Sequence, residues 1–151
     1  MNDIHNELMR EIAQIEDALQ SVESKVVQLR KHAAASILDK TKTLENAIKS
    51  YKKRRARNEI FGVRNLFADP AWDILIDLFI AGEQGQAISV SSACIAADVP
   101  STTALRWVGI LENNGFISRH PDPTDRRRIF IALTPETTEK VREYFSADIG
   151  F

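Results

Sequence analysis

The side chains best suited to binding chemistry in this chain of 151 residues lie between Pro100 and Thr134. Three consecutive arginines, Arg126, Arg127 and Arg128, follow Asp125 in a segment that also contains two prolines. Upstream of them, hydroxyl and guanidinium groups are close together in the sequence, at Ser101, Thr102, Thr103 and Arg106. Guanidinium groups form charge-assisted, often bidentate hydrogen bonds with phosphates and guanine edges, and hydroxyl groups contact bases or phosphates. These residue types therefore indicate a surface that binds nucleic acid.

The upstream group is predicted to lie on a short helix over residues 101–113. Pro100 fits a helix entry, and Ser101 is the predicted N-cap. An apolar stripe is predicted to face inward through Leu105, Val108 and Leu111, and Gly115 occupies the position of a left-handed C′ residue. Thr102, Thr103 and Arg106 then lie on the outer face near the amino-terminal end, which in a recognition helix contacts bases. The alternative is an ordinary amphipathic helix with a solvated arginine.

The arginines are predicted to lie at the tip of a β-hairpin. Residues 116–119 and 129–133 alternate as strands, and Pro121 and Pro123 between them prevent a regular ladder, so the connection protrudes. Asp125 can orient one arginine through a charge-assisted pair. Arginines on a protruding loop suit a minor groove or its flanking phosphates. The alternative is a solvated turn with surface ion pairs that contribute little.

These patterns together resemble the MarR family of winged-helix transcriptional regulators. The similarity covers roughly residues 66–140 and is carried by Ser101-Thr102-Thr103 with Arg106, by 111–119 (Leu-Glu-x-x-Gly-Phe-Ile-x-Arg), by 122–127 (Asp-Pro-x-Asp-Arg-Arg) and by Leu133-Thr134. The resemblance implies that helix 101–113 enters the major groove, with Ser101, Thr102, Thr103 and Arg106 as its contacts. It also implies that Arg127, or alternatively Arg126, enters the minor groove with Asp125 as its support.

The rest of the globular part is predicted to position this helix and hairpin. Asp69 and Pro70 open a helix that is apolar almost all round and ends at Gly82 and Gly85. A short strand over 87–90 leads to a first helix of a helix-turn-helix over 93–97, capped by Ser91 or Ser92. Cys94 on that helix is predicted to be a small core residue. Thr134 caps a last helix with an inward face made of Val141, Tyr144 and Phe145.

The amino-terminal segment, residues 1–58, is predicted to be one long helix. It contains neither glycine nor proline, and apolar residues recur from Ile12 to Ala33 at alternating steps of three and four. A shift near Ile37 resembles a stutter. A helix of some fifty residues is roughly 75 Å long, more than a domain of this size covers, so we expect it to pair with a second copy as a coiled coil. Parallel and antiparallel pairing both remain open, and the alternative is two shorter helices broken near 32–36.

The end of this helix is rich in basic residues over 49–57. Lys53 and Arg54 are predicted to contact phosphates beside the hairpin, and the alternative is a solvated helix end whose charges suit the helix dipole. Residues 59–69 are predicted to be a linker anchored by four apolar residues, Ile60, Phe61, Leu66 and Phe67. The domains predicted are thus a coiled-coil segment (1–58), a linker (59–69) and a winged helix-turn-helix domain (70–151).

Composition narrows the function further. The net charge is −1, but basic and acidic residues fall in blocks, which indicates a polarised surface. The chain has one cysteine, three scattered histidines and no glycine-rich phosphate loop, so neither a metal nor another cofactor is expected, and no enzyme activity. Neither a secretion signal nor a membrane span is expected, because the amino terminus lacks an apolar region and no run of eighteen or more apolar residues occurs. The location expected is the cytoplasm, in association with the nucleoid.

The fold class expected is therefore mainly α with a small β-wing, preceded by a long helical coiled coil. The function expected is a homodimeric regulator of transcription that binds double-stranded DNA, with the effector ligand, if any, unknown. The alternative function is a winged-helix module for protein interaction and assembly on a coiled-coil rod, without sequence-specific DNA binding.

Overall fold

A computed structural model describes residues 2–63, 66–125 and 127–146, with side chains from residue 5 onwards. Along the chain lie α1 (Asn2–Ile60), α2 (Pro70–Glu83), β1 (Ile88–Ser89), α3 (Val90–Ala96), α4 (Ser101–Asn113), β2 (Ile117–Pro121), β3 (Ile129–Leu133) and α5 (Pro135–Ser146). The three strands form an antiparallel sheet in the order β1-β3-β2. The expected fold class, mainly α with a small β-wing and a long amino-terminal helix, is confirmed. Within the described residues, no helix is long and apolar enough to cross a membrane.

Helix α1 is continuous over its 59 residues, so the alternative of two helices broken near 32–36 is wrong. No glycine or proline interrupts it, and alanines fill the region where the break was considered. The chain divides into two compact units, Met1–Lys40 and Thr41–Phe151. In the first unit every described side chain is exposed, including the apolar residues of the predicted coiled-coil seam.

The last part of α1 belongs to the second unit and helps to form its core. Ala47 is fully buried in a cluster with Ile76, Phe79, Val141 and Phe145. The Asn46 side-chain amide donates to the carbonyl oxygen of Phe145 at 2.9 Å, which fastens α1 to the end of α5. The globular domain therefore includes residues that precede the predicted boundary at residue 58.

Helix α2 is the central element, as its apolar sequence predicts. Asp69 caps it by accepting a hydrogen bond from the Trp72 backbone N–H at 3.3 Å, and Pro70 occupies the first helical position. One face contributes Ile74 and Leu78 to a core shared with α3, α4 and the sheet, and another contributes Ile76 and Phe79 to the cluster with α1 and α5. The helix ends at Glu83, one residue beyond the predicted stop at Gly82.

Helices α3 and α4 form a helix-turn-helix, and its first cap differs from the prediction. Ser89, rather than Ser91 or Ser92, caps α3, because its extended backbone at the end of β1 lets its hydroxyl accept from the Ser92 N–H at 3.1 Å. In the turn, Asp98 has a left-handed backbone with φ of 53°. Cys94 is buried in the core as predicted, and burial raises the pKa of its thiol.

Helix α4 begins and packs one position away from the sequence-based prediction. Pro100 occupies the N-cap position without a side-chain hydrogen bond, and Ser101 is the first helical residue, so the predicted Ser101 cap is wrong. Ala104, Val108 and Leu111 are buried, whereas Leu105 is 48% exposed. Ala104 belongs to the buried cluster shared with α2, α3 and the sheet, so the inward face of α4 passes through Ala104 and its neighbour Leu105 faces outward. Gly115 follows the helix with a left-handed φ of 72°, as predicted.

Strands β2 and β3 pair as far as Pro121 and Ile129, so the prediction that Pro121 breaks the ladder is wrong. The strand order explains this, because β2 is an edge strand, where a residue without an N–H is tolerated. Helix α5 is capped by the Thr134 hydroxyl, which accepts from the Thr137 N–H at 3.3 Å, as predicted. Val141 and Phe145 are buried, but Tyr144, predicted to face inward, is 47% exposed.

The predicted linker is not anchored in the way that its apolar residues indicate. Ile60, Phe61 and Leu66 are 64–77% exposed, so they are not core anchors. Helix α1 continues to Ile60, and Gly62 then turns the chain with a left-handed φ of 64°. The Phe61 ring packs against the half-buried Phe67 ring, with centroids 5.2 Å apart. Phe67 also lies beneath the Arg57 guanidinium, 6.0 Å from its ring centroid, and is the one of the four residues that is half-buried.

Candidate nucleic-acid interface

The amino-terminal end of α4 presents a polar surface. Ser101, Thr102, Thr103 and Arg106 are all exposed, while Ala104 between them is fully buried. Since residues three and four apart share a helix face, Arg106 lies on the same face as Thr102 and Thr103. Arg106 has no ion-pair partner among the described residues, so its guanidinium is available to a ligand.

At the tip of the hairpin, a carboxylate holds an exposed arginine. Asp125 Oδ1 accepts hydrogen bonds from the Arg127 backbone N–H at 3.0 Å and from Arg127 Nε at 3.4 Å. The Arg127 side chain is 92% exposed. The predicted pairing of Asp125 with an arginine is therefore present for Arg127. Arg126, the alternative tip residue, lies outside the described residues.

A second aspartate, Asp122, organises the loop and was missed by the sequence analysis. It is 6% exposed, and its Oδ1 accepts from the Thr124 N–H at 2.7 Å, the Thr124 hydroxyl at 2.6 Å and the Asp125 N–H at 3.2 Å. The hydrogen bond from the Thr124 hydroxyl is the largest of the causes that lower the pKa of Asp122. The signal for this role was the Asp-Pro-Thr-Asp sequence, which is typical of a turn whose first side chain binds the backbone two residues on.

Arg128 closes the base of the same loop. Its backbone N–H donates to the Asp125 carbonyl at 2.9 Å, and its carbonyl accepts from the Asp122 N–H at 3.0 Å. Arg128 Nη1 lies 3.7 Å from Asp122 Oδ2, and its side chain is 57% exposed. Hydrogen bonds within the loop thus hold its shape, and the side chains of Arg127 and Arg128 are both accessible to solvent.

The hairpin is fastened to α4 by polar contacts at its base. Arg119 Nε on β2 donates to Glu112 Oε2 on α4 at 2.7 Å. The Thr134 hydroxyl donates to the Gly115 carbonyl at 3.0 Å, and the Thr134 N–H donates to the Phe116 carbonyl at 3.0 Å. These bonds limit movement of the hairpin relative to the helix that it follows.

The basic end of α1 differs from the hairpin loop. Arg54 Nε donates to Asp73 Oδ1 at 2.7 Å, and Arg54 Nη2 lies 3.7 Å from Asp69 Oδ2. The Arg54 and Asp73 side chains are only 19% and 8% exposed. We therefore remove Arg54 from the predicted phosphate contacts, because its charge is committed to stabilising α2. Lys53 beside it is exposed and stays a predicted contact.

Arg55 and Asn58 connect the end of α1 to the turn of the helix-turn-helix. The Arg55 guanidinium lies 3.0 Å from Asp98 Oδ1 and also donates to the Ala96 carbonyl and, at 2.9 Å, to the Tyr51 hydroxyl. The Asn58 side-chain amide donates to Asp98 Oδ2 at 2.8 Å. These contacts hold the left-handed Asp98, so α1 fixes the turn that sets the angle between α3 and α4.

Comparisons with known proteins find similarity among solved structures. No protein-family model and no curated protein matches the chain. It is similar to S. aureus MepR in a DNA-binding conformation, at 22% identity and a TM-score of 0.47, over 66% of this chain and 70% of that one. It is also similar to a MepR mutant from a multidrug-resistant S. aureus clinical isolate, at 24% identity and a TM-score of 0.44, over 62% of this chain and 63% of that one. A third similar structure is MarR from E. coli, at 20% identity and a TM-score of 0.42, over 50% of this chain and 52% of that one. The chain spans less than two thirds of the length of the last two.

Proposed function

We propose that this protein is a homodimeric DNA-binding regulator of transcription that acts in the cytoplasm, on the nucleoid. The observation that carries the proposal is the pairing of an exposed polar helix start with an arginine loop held by carboxylates. Thr102, Thr103 and Arg106 provide the first, and Arg127 with Asp125 provides the second. A helix bearing such groups fits the major groove, which is about 12 Å wide.

Arg106 is the main candidate for base recognition. It is exposed in the second turn of α4, and a guanidinium there can bind the O6 and N7 atoms of a guanine as a bidentate donor. Ser101, Thr102 and Thr103 lie in the first turn, where hydroxyl groups contact bases or phosphates. Leu105 adds an exposed apolar surface beside them, which suits a thymine methyl group.

The hairpin arginines contribute affinity for DNA that depends little on the base sequence. Arg127 projects its guanidinium from a loop fixed by Asp122 and Asp125, which suits insertion into a minor groove and lowers the entropy cost of binding. Arg128 at the base of the loop, and Arg126 beside it in the sequence, are candidates for the flanking phosphates. Lys53 is the remaining candidate from α1.

The homodimer is proposed to form through the first forty residues of α1. Their apolar seam is exposed in the single chain, and apolar rows of this length in water favour association. Two copies of one winged helix on a common dimer would contact two half-sites, which raises affinity beyond that of a single domain.

Fluorescence anisotropy with labelled genomic duplexes tests the proposal. Arg127→Ala is expected to weaken binding to many sequences and to reduce the slope of log K against log salt by about 0.9 for each phosphate that is no longer neutralised. Arg106→Ala is expected to weaken binding and also relax the preference among duplexes.

Arg10→Ala is the matched control, since it removes an exposed arginine from the first unit, away from these residues in the sequence. If the wild-type protein fails to bind duplex at micromolar concentration, or if Arg106→Ala and Arg127→Ala both bind like Arg10→Ala, the proposal is rejected. The first of these outcomes would favour the protein-interaction module.

A further inference from the structure

The first unit of α1 has an apolar seam whose residues are 40–68% exposed. Its members alternate in steps of three and four, as in a coiled coil, and are Ile12, Ile15, Leu19, Val22, Val26 and Leu29. In heptad terms, the a positions are 12, 19 and 26, and the d positions are 15, 22 and 29. The positions on either side of this seam determine which orientation of a second helix it accepts.

The charges along this unit are sorted by sign. From residue 5 to 24, acidic side chains dominate, at Glu7, Glu11, Glu16, Asp17 and Glu23, against Arg10 alone. From residue 25 to 40, basic side chains dominate, at Lys25, Arg30, Lys31 and Lys40, against Asp39. The helix dipole does not explain the sorting, because its effect is confined to the first and last turns and α1 extends to Ile60.

We propose that two copies of this unit pair antiparallel, centred near Asp17; the proposal rests on the homodimer proposed above. In that alignment Ile12 faces Val22 of the second copy, Ile15 faces Leu19, and Leu8 faces Val26. These three layers are apolar, and each occurs twice by symmetry, whereas Leu29 faces His5 of the second copy. Residues 25–29, where the basic half begins, then lie against residues 5–9 in the acidic half of the second copy.

The flanking charges favour this alignment over a parallel one. In the antiparallel pair, g positions face g positions, so Glu11 faces Lys25 of the second copy, twice. One unfavourable pair remains, between the two copies of Glu16 at the centre. In a parallel pair in register, g faces the following e, so Glu11 faces Glu16 and Lys25 faces Arg30, each twice. Two attractive pairs and one repulsive pair therefore compete with four repulsive pairs.

Charge reversal at Lys25 distinguishes the two orientations by the sign of its effect. With antiparallel pairing, Lys25→Glu places a carboxylate against Glu11 of the other copy at two symmetric positions. The dissociation constant of the dimer is then expected to rise about three- to tenfold at low salt. With parallel pairing, the same change faces Arg30 and lowers the dissociation constant. Adding Glu11→Lys is expected to restore the wild-type value. Sedimentation equilibrium of the full chain measures each value.

Lys31→Glu is the matched control, because it makes the same charge change at an outward f position. A tighter dimer with Lys25→Glu, no rescue by Glu11→Lys, or an effect of Lys31→Glu as large as that of Lys25→Glu would overturn the proposal. Circular dichroism of each variant reports whether the helix itself is retained.

Spin-label distances give a second, geometric test. Single cysteines replace Arg10, Asp17, Ser24 and Lys31, which all lie at outward f positions. Along the helix axis, antiparallel pairing predicts the shortest separation at Asp17, about 20 Å more at Arg10 and Ser24, and about 40 Å more at Lys31. Parallel pairing predicts equal distances at all four positions. Cys94 is buried, and the wild-type chain treated with the label controls for its reaction.

Equal distances, or no dipolar signal at any position, would overturn the antiparallel pairing. DNA binding of the same labelled chains separates the two proposals. Distances that grow away from Asp17 support the pairing whether or not the duplex binds, whereas DNA binding with equal distances rejects the pairing and leaves the proposed DNA contacts in place.

Discussion

Two arginine-rich segments of the molecule, 54–57 and 126–128, resemble each other in sequence and differ in what their charges meet. In the first, the Arg54 side chain is largely buried against Asp73. In the second, the Arg127 side chain is 92% exposed and Asp125 holds its position. An arginine that is paired with a carboxylate inside the fold contributes to stability, whereas an arginine that a carboxylate orients in solvent keeps its guanidinium accessible to a ligand.

The largest effect should come from the buried pair. Arg54→Ala leaves the carboxylate of Asp73 buried without its partner, which is expected to lower the free energy of unfolding by about 3 kcal/mol. Urea denaturation at a fixed protein concentration measures this decrease. Lys53→Ala, at the exposed neighbouring position, is the control and should change stability by less than about 0.5 kcal/mol. An Arg54→Ala protein of wild-type stability that binds DNA weakly would reverse the roles assigned to the two segments.

The next effect is on DNA binding through the exposed arginine. Arg127→Ala is expected to weaken duplex binding about tenfold, equivalent to about 1.4 kcal/mol, with no change in unfolding free energy. Anisotropy titrations at two salt concentrations, together with urea denaturation, test both parts. The comparison between the segments fails if this variant loses stability in step with its affinity.

A smaller effect is expected from the loop organiser. Asp122→Ala removes the acceptor of three hydrogen bonds and should weaken duplex binding about threefold by loosening the loop, whereas Asp122→Asn, which keeps an acceptor, should lose less. Hydrogen exchange of the backbone amides of Thr124, Asp125 and Arg128 measures the loosening. Unchanged exchange in Asp122→Ala would contradict the role given to this carboxylate.

The pH dependence of the loop follows from the lowered pKa of Asp122. Its contribution is complete above the unfolded pKa of about 3.9 and disappears as the pH falls through the still lower folded value. Because Asp122 stays ionised between about pH 5 and pH 8, the protection of the loop amides from hydrogen exchange is expected not to change over this range. Hydrogen exchange, corrected for its intrinsic pH dependence, tests this.

The smallest effect concerns the exposed lysine of the first segment. If Lys53 binds a phosphate, Lys53→Ala should weaken duplex binding about twofold and reduce the salt slope by about 0.9, the value for one neutralised phosphate. An unchanged salt slope would leave the whole end of α1 outside the DNA interface. That result would sharpen the contrast between the two arginine-rich segments.

The sequence predicts local features of this fold well because their causes are local. Asp69 and Pro70 start α2, Gly115 ends α4 and Thr134 caps α5, each through side-chain or backbone properties that act within a few residues. The alternating strands and the arginine loop between them were recognisable for the same reason. So was the helical character of α1, which lacks any interrupting residue.

The failed predictions concern partners that are distant in the sequence. Arg54 meets Asp73, and Arg55 meets Asp98, after the chain has folded back, so a basic run alone did not separate structural from available charges. Leu105 was predicted to face inward from its spacing to Val108 and Leu111, but Ala104 joins the buried cluster and Leu105 is exposed. Tertiary packing overrides hydrophobicity when two candidate faces differ by one residue.

The burial of Ala47 and the bonds of Arg54 and Arg55 have a practical consequence for dissecting the molecule. A truncation that begins at residue 59 or 70, where the sequence predicts the domain boundaries, would remove Ala47 from the hydrophobic cluster. It would also remove the hydrogen bonds of Arg54 to α2 and of Arg55 to the turn of the helix-turn-helix. A fragment that starts just before Thr43 keeps all of them and omits the whole seam. If the first forty residues form the dimer as proposed, such a fragment is expected to be monomeric and suits a test of duplex binding by a single winged helix.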